Sequence, residues 1–212
     1  MAAGFFVVLE GPEGAGKTTL ARALAARMRE QGIEPVTVRE PGGTPAAEAL
    51  RQQLLDADRT WTPEAELLYM VTARADLVAL VIEPALTAGR VVLSDRYDLS
   101  TTAYQGAGRG VPRAPLEWIN RAATGGLVPD VTLVLDLDAQ AGMARKRAAG
   151  SRPDRMEREA GDFHDRVVAA YREASGPGVY HLDGSASPGE VLAAAWSRLV
   201  AARPETFRPV SG

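Results

Sequence analysis

The stretch GPEGAGKT, from Gly11 to Thr18, has the residue types and spacing of a phosphate-binding loop, G-x-x-x-x-G-K-[ST]. Its glycines let the backbone curl so that N–H groups point at an anion, and the following helix adds its positive N-terminal dipole. Lys17 would reach the β- and γ-phosphates, and the Thr18 hydroxyl would hold Mg²⁺. The residues that we predict to bind ATP are Gly11, Pro12, Glu13, Gly14, Ala15, Gly16, Lys17, Thr18 and Thr19.

A glycine-rich turn without a ligand is the alternative explanation of this stretch. A match to the motif arises by chance in about one chain in a hundred, given ordinary glycine usage. Here the apolar run from Phe5 to Leu9 precedes it and an Ala/Leu/Arg-rich segment follows, which is the strand and helix context that the motif requires. The loop indicates binding of a nucleoside triphosphate, and the chain has no Asn-Lys-x-Asp signature for guanine.

Asp95 and Arg96 follow a second apolar run, at the point where a strand is predicted to end. A carboxylate in this place supports Mg²⁺ in phosphate-loop enzymes. A helix cap would explain Asp95 alone, and a surface ion pair would explain Arg96 alone. Neither explains why one strand brings both residues to the same edge of a sheet.

Arg74 lies within an apolar helical stripe that includes Leu67, Val71 and Val78. A cation in such a stripe is costly unless an anion meets it. A structural carboxylate or snorkelling of the side chain would be sufficient explanations. Alternatively, Arg74 and Arg96 together would grip a second phosphate, for which the bidentate guanidinium group is suited.

Apolar runs and helical spacing alternate along the chain. The predicted strands are 5–9, 35–39, 91–93, 131–137 and 178–182, and the predicted helices are 17–31, 63–83, 115–123, 162–174 and 188–201. This alternation predicts an α/β fold with three layers, α/β/α, and a five-stranded parallel sheet. Ligands then bind beyond the carboxyl ends of the strands. Two segments break the pattern: 40–58 indicates a shaped loop with a short helix, and the basic segment 145–159 indicates a mobile flap.

Composition limits the remaining possibilities. The 212 residues predict a single domain over 1–202, followed by a loosely ordered tail over 203–212. A net charge of −3 argues against nucleic acid as a partner. The absence of cysteine excludes disulfides and thiolate metal sites and fits a cytoplasmic enzyme. The apolar run at 5–9 is too short for a signal peptide or a membrane span, so no membrane partner is expected.

Four motifs, in order along the chain, resemble bacterial thymidylate kinase. They are the phosphate loop, EPGGT at 40–44, LLYMVTAR at 67–74 and DRYDLSTTAYQG at 95–106. The phosphate loop is generic, whereas EPGG together with DRY…S…AYQG is specific to this family among nucleotide kinases. The resemblance implies a P-loop NTPase fold of the nucleoside monophosphate kinase type. It also implies phosphorylation of dTMP to dTDP with ATP and Mg²⁺, in dTTP biosynthesis, and a homodimer.

The resemblance further implies roles for single residues. Asp95 supports Mg²⁺, Arg74 and Arg96 bind the acceptor phosphate, and Tyr104 crowds the ribose 2′ position and favours a deoxy sugar. The residues implied to surround dTMP are Glu13, Glu40, Pro41, Met70, Arg74, Arg96, Thr101, Tyr104 and Gln105. The residues implied to be catalytic are Lys17, Asp95, Arg96, Arg152 and Arg155, the last two in the flap, which is similar to the family's lid.

The sequence departs from the family pattern in two places. Met70 stands where the family has a phenylalanine that stacks on thymine, and a sulfur–aromatic contact is worth about 0.3–1.5 kcal/mol. Ala149 stands where many relatives have a lid arginine, so we expect Arg152 to take its place. Because the variable positions 12–15 of the phosphate loop carry no arginine, the lid must supply the cation that covers the transferred group. Arg155, in DRME, is the first candidate.

Other functions fit part of the pattern. A kinase for another pyrimidine nucleotide would share the fold, whereas a nucleoside kinase would not need two arginines for an acceptor phosphate. A switch protein that only hydrolyses ATP would need a water-positioning residue and a partner surface, and the sequence shows no clear sign of either. Whether ATP turnover requires an added monophosphate separates these classes.

Overall fold

A parallel sheet of five strands forms the centre of the computed structural model, which describes residues 4–150 and 153–209. The strands are β1 Phe5–Glu10, β2 Val36–Arg39, β3 Val91–Asp95, β4 Val131–Asp136 and β5 Val179–Asp183. They lie in the order β2-β3-β1-β4-β5, and every neighbouring pair is parallel. The predicted strands are confirmed, and β3 extends far enough for Asp95 to be its last residue.

Helices connect the strands. The α-helices are α1 Lys17–Glu30, α2 Pro45–Leu55, α3 Pro63–Leu77, α4 Glu83–Thr87, α5 Asp98–Thr101, α6 Arg113–Thr124, α7 Ala139–Ala148, α8 Gly161–Arg172 and α9 Pro188–Ala202. Two π-helical segments, Val78–Ile82 and Thr102–Gly108, continue α3 and α5. The start of α3 is capped by the Thr62 hydroxyl, which accepts from the Ala65 N–H. Among the described helices, none is both long and apolar enough to cross a bilayer.

The side chains of β1 alternate between two cores. Phe5, Val7 and Leu9 pack with α1 and α9 on one face of the sheet. Phe6 and Val8 pack with the helical run from α3 to α4 on the other face. All of β1 is buried, as expected for a strand covered on both faces. The helices therefore form a layer on each side of the sheet, which confirms the predicted three-layer architecture.

The carboxyl ends of the neighbouring strands β2, β3 and β1 lie together at the same edge of the sheet. Asp95 of β3 lies opposite Leu9 of β1 and opposite Arg39 of β2. Glu10 follows Leu9 at the end of β1, and Glu40 follows Arg39 at the end of β2. The parallel register thus concentrates charged side chains from distant parts of the sequence at one place.

Phe207 packs on the core and anchors the segment after α9, which differs from the predicted loosely ordered tail. Phe207 is 0% exposed, and its ring lies 5.4 Å from Phe5 and 5.6 Å from Trp196, between centroids. The Trp196 indole N–H donates to the carbonyl of Arg208 at 2.9 Å. A single aromatic residue without periodic neighbours gives no sequence pattern, so this docking was not evident from the sequence.

Removal of the Phe207 ring tests this packing. We expect Phe207→Ala to lower the free energy of unfolding by about 3–5 kcal/mol, because a buried cavity replaces the ring. Urea unfolding followed by circular dichroism measures this change. The control is Glu205→Ala, at a side chain that is 69% exposed, with an expected change below about 0.5 kcal/mol. Equal effects of the two substitutions would contradict the packing role of Phe207.

Candidate active site

A cavity of about 730 Å³ lies at the carboxyl-end edge of the sheet. The phosphate loop and the start of α1 line one part of it, and Glu40, Met70 and Gln105 line another part. Loops, helices and strand ends from across the chain therefore surround one space. It is located where parallel α/β folds bind their ligands.

Lys17 is the cation of the phosphate loop. Its ammonium group donates to the carbonyl oxygens of Gly11 at 2.8 Å and Pro12 at 2.7 Å. Burial lowers the pKa of Lys17 to about 8. The like charge of Arg96 also lowers it, whereas the carboxylate of Glu13 raises it. A phosphate is a stronger partner for this cation than two neutral carbonyls. Of the residues predicted to bind ATP, 13–19 line the cavity, whereas Gly11 and Pro12 are not in its lining.

Thr18 and Asp95 are brought together, as predicted. The Thr18 hydroxyl donates to a carboxylate oxygen of Asp95 at 2.6 Å, and both residues line the cavity. A hydroxyl and a carboxylate are the hard oxygen donors that Mg²⁺ uses, together with water and substrate phosphates. The residues present therefore fit a magnesium ion.

Arg96 is held in a left-handed conformation, with φ of 79°. For a residue with a side chain this costs about 1–3 kcal/mol. The Ser94 hydroxyl stabilises it by donating to the Arg96 carbonyl at 2.6 Å. The guanidinium group donates to Glu13 at 2.6 Å and to the hydroxyls of Tyr104 and Tyr171 at 3.1 Å. The turn in the backbone thus aims Arg96 at the phosphate loop.

The Glu13 carboxylate is ionised because of its cationic neighbours. Burial would raise the pKa of Glu13, but Arg96 and Lys17 outweigh it and lower the pKa to about 2. The folded pKa lies below the ordinary value of 4.5. The ionised Glu13 therefore stabilises the fold above about pH 4.5, and this stabilisation is lost as the pH falls toward 2.

Glu10, which the sequence analysis missed, fixes the segment that carries Arg96. Its carboxylate accepts from the N–H groups of Tyr97 at 2.8 Å and Ser100 at 3.1 Å. It also accepts from the hydroxyls of Ser100 at 2.6 Å and Tyr171 at 3.1 Å. Burial raises the pKa of Glu10, so its charged form depends on these donors. The sequence signal is a single acidic residue at the end of an otherwise apolar strand.

Arg74 lies beneath the cavity and is 0% exposed. Its Nε donates to Glu40 at 2.7 Å, and its Nη1 donates to Thr101 at 2.8 Å and Asn120 at 2.6 Å. Its Nη2 donates to the Tyr97 carbonyl at 2.8 Å and lies 2.7 Å from the Glu40 carboxylate. Four hydrogen bonds and the ion pair with Glu40 thus hold the guanidinium group, as in the structural-carboxylate alternative, and Arg74 is not among the residues that line the cavity. Binding of the acceptor phosphate by Arg74 stays a prediction.

Most of the residues that the resemblance places around dTMP line this cavity. The implied dTMP-site residues that line the cavity are Glu13, Glu40, Pro41, Met70, Arg96, Tyr104 and Gln105. Burial raises the pKa of Glu40 to about 7, although Arg74 opposes this rise. The second oxygen of Glu40, Oε1, has no hydrogen-bond partner in the described part of the chain. Thr101 lies behind this wall and supports Arg74.

Arg51 adds a cation that the sequence analysis missed. It lies on α2, lines the cavity, and donates to the Pro41 carbonyl at 2.9 Å. Burial and the neighbouring Arg39 lower the pKa of Arg51. Arg39 in turn is paired with Glu48 at 2.9 Å. A polar residue on a short helix gives no sequence signal of this kind, because only the packing of α2 decides which side chain faces the cavity.

Arg155, in the segment predicted as a flap, contacts Glu66 and Leu54, which also line the cavity. Its Nη2 donates to Glu66 at 2.6 Å, and its Nε donates to the Leu54 carbonyl at 2.9 Å. Its expected contact with the transferred phosphoryl group stays a prediction. Arg152 lies outside the described residues.

Helix α7, which leads into the lid, touches the phosphate loop backbone to backbone. A Cβ atom at Gly142 would lie 2.1 Å from the Glu13 carbonyl oxygen. A Cβ at Gly14, where φ is 71°, would lie 2.1 Å from the Gly142 carbonyl oxygen. Glycine at both positions permits this approach, so α7 determines where one wall of the loop lies.

The fold and the site define the chain as a P-loop NTPase, in which the first strand leads through a phosphate loop into a helix at the edge of a parallel sheet. The family model for thymidylate kinase matches residues 9–194, and the chain belongs to the thymidylate kinase family. The resemblance seen in the sequence motifs is thereby confirmed.

Individual relatives support the assignment. The chain is 47% identical over 206 residues to the thymidylate kinase of Cereibacter sphaeroides. The alignment covers 93% of this chain and 95% of that protein. It is 46% identical over 196 residues to the thymidylate kinase of Thermomicrobium roseum, covering 91% and 93%. The crystal structure of thymidylate kinase from Ehrlichia chaffeensis shares the fold, with a TM-score of 0.77 at 24% identity over 93% of this chain and 99% of that one.

The contact between α7 and the phosphate loop predicts the effect of a methyl group. We expect Gly142→Ala to weaken ATP binding by about tenfold, because the added carbon pushes on the Glu13 backbone and displaces the loop. Isothermal titration calorimetry with ATP measures the change. The control is Gly161→Ala at the start of α8, where an added Cβ meets nothing within 4 Å. Equal affinities of the two variants would contradict the coupling.

Proposed function

We propose that this protein transfers the γ-phosphoryl group of ATP to dTMP and releases ADP and dTDP. The observation that carries the proposal is the juxtaposition, across one cavity, of the phosphate loop with a second group of polar residues suited to a nucleotide monophosphate. The curated relatives, which are thymidylate kinases, support the same reaction.

The donor side would be held by Lys17, by the N–H groups of the phosphate loop, and by Mg²⁺ at Thr18 and Asp95. The ion, when bound, would neutralise charge on the phosphates of ATP. The proposal includes this ion, a cytoplasmic location and a single kinase domain over 1–202 with a lid at 145–159.

The acceptor phosphate would be held by Arg96 and Arg51. Both line the cavity, and each has N–H groups directed at neutral oxygens that a phosphate would replace as a stronger acceptor. Arg74, which is paired with Glu40, would support the wall that Glu40 forms. The acceptor oxygen is anionic at neutral pH, so no strong general base is needed. Catalysis then consists mainly of positioning and charge stabilisation.

The nucleoside would occupy the part of the cavity lined by Tyr104, Met70 and Gln105. Tyr104 is fixed by hydrogen bonds to Arg96 and Glu13 at 3.1 Å, which favours its role as a wall beside the sugar. The transferred group also needs a cation on its open side. Arg152 and Arg155 of the lid are the candidates for that role.

An acceptor panel tests the proposed reaction. ADP release from ATP and Mg²⁺ is measured with dTMP, dUMP, dCMP, UMP, AMP, thymidine or no acceptor. We expect turnover with dTMP to exceed turnover without an acceptor by at least about a hundredfold, because the phosphate of dTMP supplies the oxygen that receives the phosphoryl group. Turnover that is independent of any acceptor would overturn the kinase assignment and indicate an ATP-driven switch.

The same assay tests whether Arg51 binds the phosphate of the acceptor. Arg51→Gln is expected to raise the KM for dTMP by about tenfold, the usual effect of losing one charge-assisted hydrogen bond. The matched control is Arg59→Gln, at an exposed side chain paired with Asp56 just after α2. An unchanged KM in Arg51→Gln would remove this residue from the phosphate site.

We also propose that the protein is a homodimer, in which α3 and α6 take part. These helices pack together and carry the exposed side chains Leu68 and Trp118, which are 51% and 71% accessible. The π-helical segment Val78–Ile82, which continues α3, adds the side chain of Leu80, which is 63% accessible. We expect sedimentation velocity to show a dimer that Trp118→Glu converts to a monomer, because a buried unpaired charge opposes association. Arg22→Glu, on the opposite layer of helices, should leave the dimer intact. A monomeric wild-type protein would contradict the proposal.

A further inference from the structure

A buried carboxylate, Glu66, lies beside the acceptor part of the cavity. It is on α3, one helical turn before Met70, and is only 1% exposed. Both residues line the cavity. A carboxylate in such a place destabilises the fold unless donors surround it.

Three donor groups, from two segments that are distant from α3 in the sequence, converge on Glu66. The Gln105 amide Nε2 donates to Oε1 at 2.7 Å. Arg109 contacts the same carboxylate through Nε at 3.2 Å, and its Nη2 lies 3.1 Å away. Arg155 of the lid donates to Oε2 at 2.6 Å. The two guanidinium groups and the amide satisfy most acceptor positions of this carboxylate, and Arg109 is shared with Glu159 at 2.7 Å.

This arrangement fixes the orientation of the Gln105 amide. A carboxylate between two guanidinium groups only accepts hydrogen bonds, so the NH₂ end of the amide must face it. The amide oxygen, Oε1, is therefore turned away from Glu66. It is buried and has no hydrogen-bond partner among residues 4–150 and 153–209. Gln105 lines the cavity, and this oxygen is the atom of its amide left for a ligand.

An acceptor fixed in this way distinguishes pyrimidine bases. Thymine and uracil carry an N3–H donor, whereas the N3 of cytosine is an acceptor and would leave two lone pairs facing each other. A site built to hydrogen-bond one group rejects an analogue that lacks it, because the buried polar atom is left unpaired.

We propose that Glu66 is a positioning residue that holds the Gln105 amide oxygen toward the acceptor base and so makes the site select bases with an N3–H group. The inference rests on the proposed function, since it concerns the acceptor of that reaction. Because Arg155 completes the charge balance of Glu66, the same carboxylate joins the lid to the base-reading residue.

The test is the effect of Glu66→Gln on base selectivity. A neutral amide at position 66 both donates and accepts, so the Gln105 amide loses its fixed orientation. We expect the ratio of kcat/KM for dTMP to that for dCMP to fall at least about tenfold. The ratio of dissociation constants, measured by calorimetry without ATP, should fall in parallel. Thermal unfolding verifies that the variant is folded.

Two further variants separate orientation from general packing. Arg109→Met removes an ion pair of Glu66 but keeps the contact with Gln105, so the dTMP to dCMP ratio should stay unchanged. In Gln105→Met the ratio should fall as in Glu66→Gln, and the double variant should show no further loss. An unchanged ratio in Glu66→Gln, a lower ratio in Arg109→Met, or additive losses would overturn the inference. Failure of the wild-type protein to phosphorylate dTMP would instead overturn the proposed function.

Discussion

The ion pair between Arg96 and Glu13 joins the two sides of the cavity, and much of the site depends on it. It connects the end of β3 to the phosphate loop over 2.6 Å, with little exposure of either side chain. The left-handed backbone at Arg96 is a local cost that the surrounding hydrogen bonds offset. Glu10 also stabilises the position of Arg96, because its carboxylate accepts hydrogen bonds from Tyr97 and Ser100 in the segment that follows. Loss of either partner would leave an uncompensated charge in a largely enclosed place.

Burial of charge also explains which cations are available to a ligand. Arg74 is 0% exposed, and the Glu40 carboxylate and neutral acceptors hold its guanidinium group, so it supports the wall of the cavity. Among the described residues, the hydrogen-bond partners of Lys17 are two backbone carbonyls, and its pKa is lowered to about 8. An anion would relieve that destabilisation of the charged form. Arg51 is similar, because its direct partner at the cavity is the Pro41 carbonyl.

Two contacts of different kinds connect α7 and the segment that follows it to the lining of the cavity. Helix α7 meets the phosphate loop through the backbones of Gly14 and Gly142, where any side chain would collide. In the following segment, Arg155 meets the carboxylate of Glu66, which also holds Gln105. Through these contacts, α7 touches the phosphate loop and Arg155 touches Glu66, two parts of the cavity lining that are far apart in the sequence.

The sequence by itself determined the strands, the parallel sheet and the phosphate loop. The strands and the sheet follow from local periodicity, and the loop follows from a motif whose glycines let the backbone curl around an anion. It also indicated that Thr18 and Asp95 meet, since strand ends share one edge. Tertiary structure alone decided that Arg74 is satisfied while Arg51 faces the cavity, and that Phe207 packs on the core. The physical reason is that the partner of a buried charge or ring lies far away in the chain, and local spacing carries no information about it.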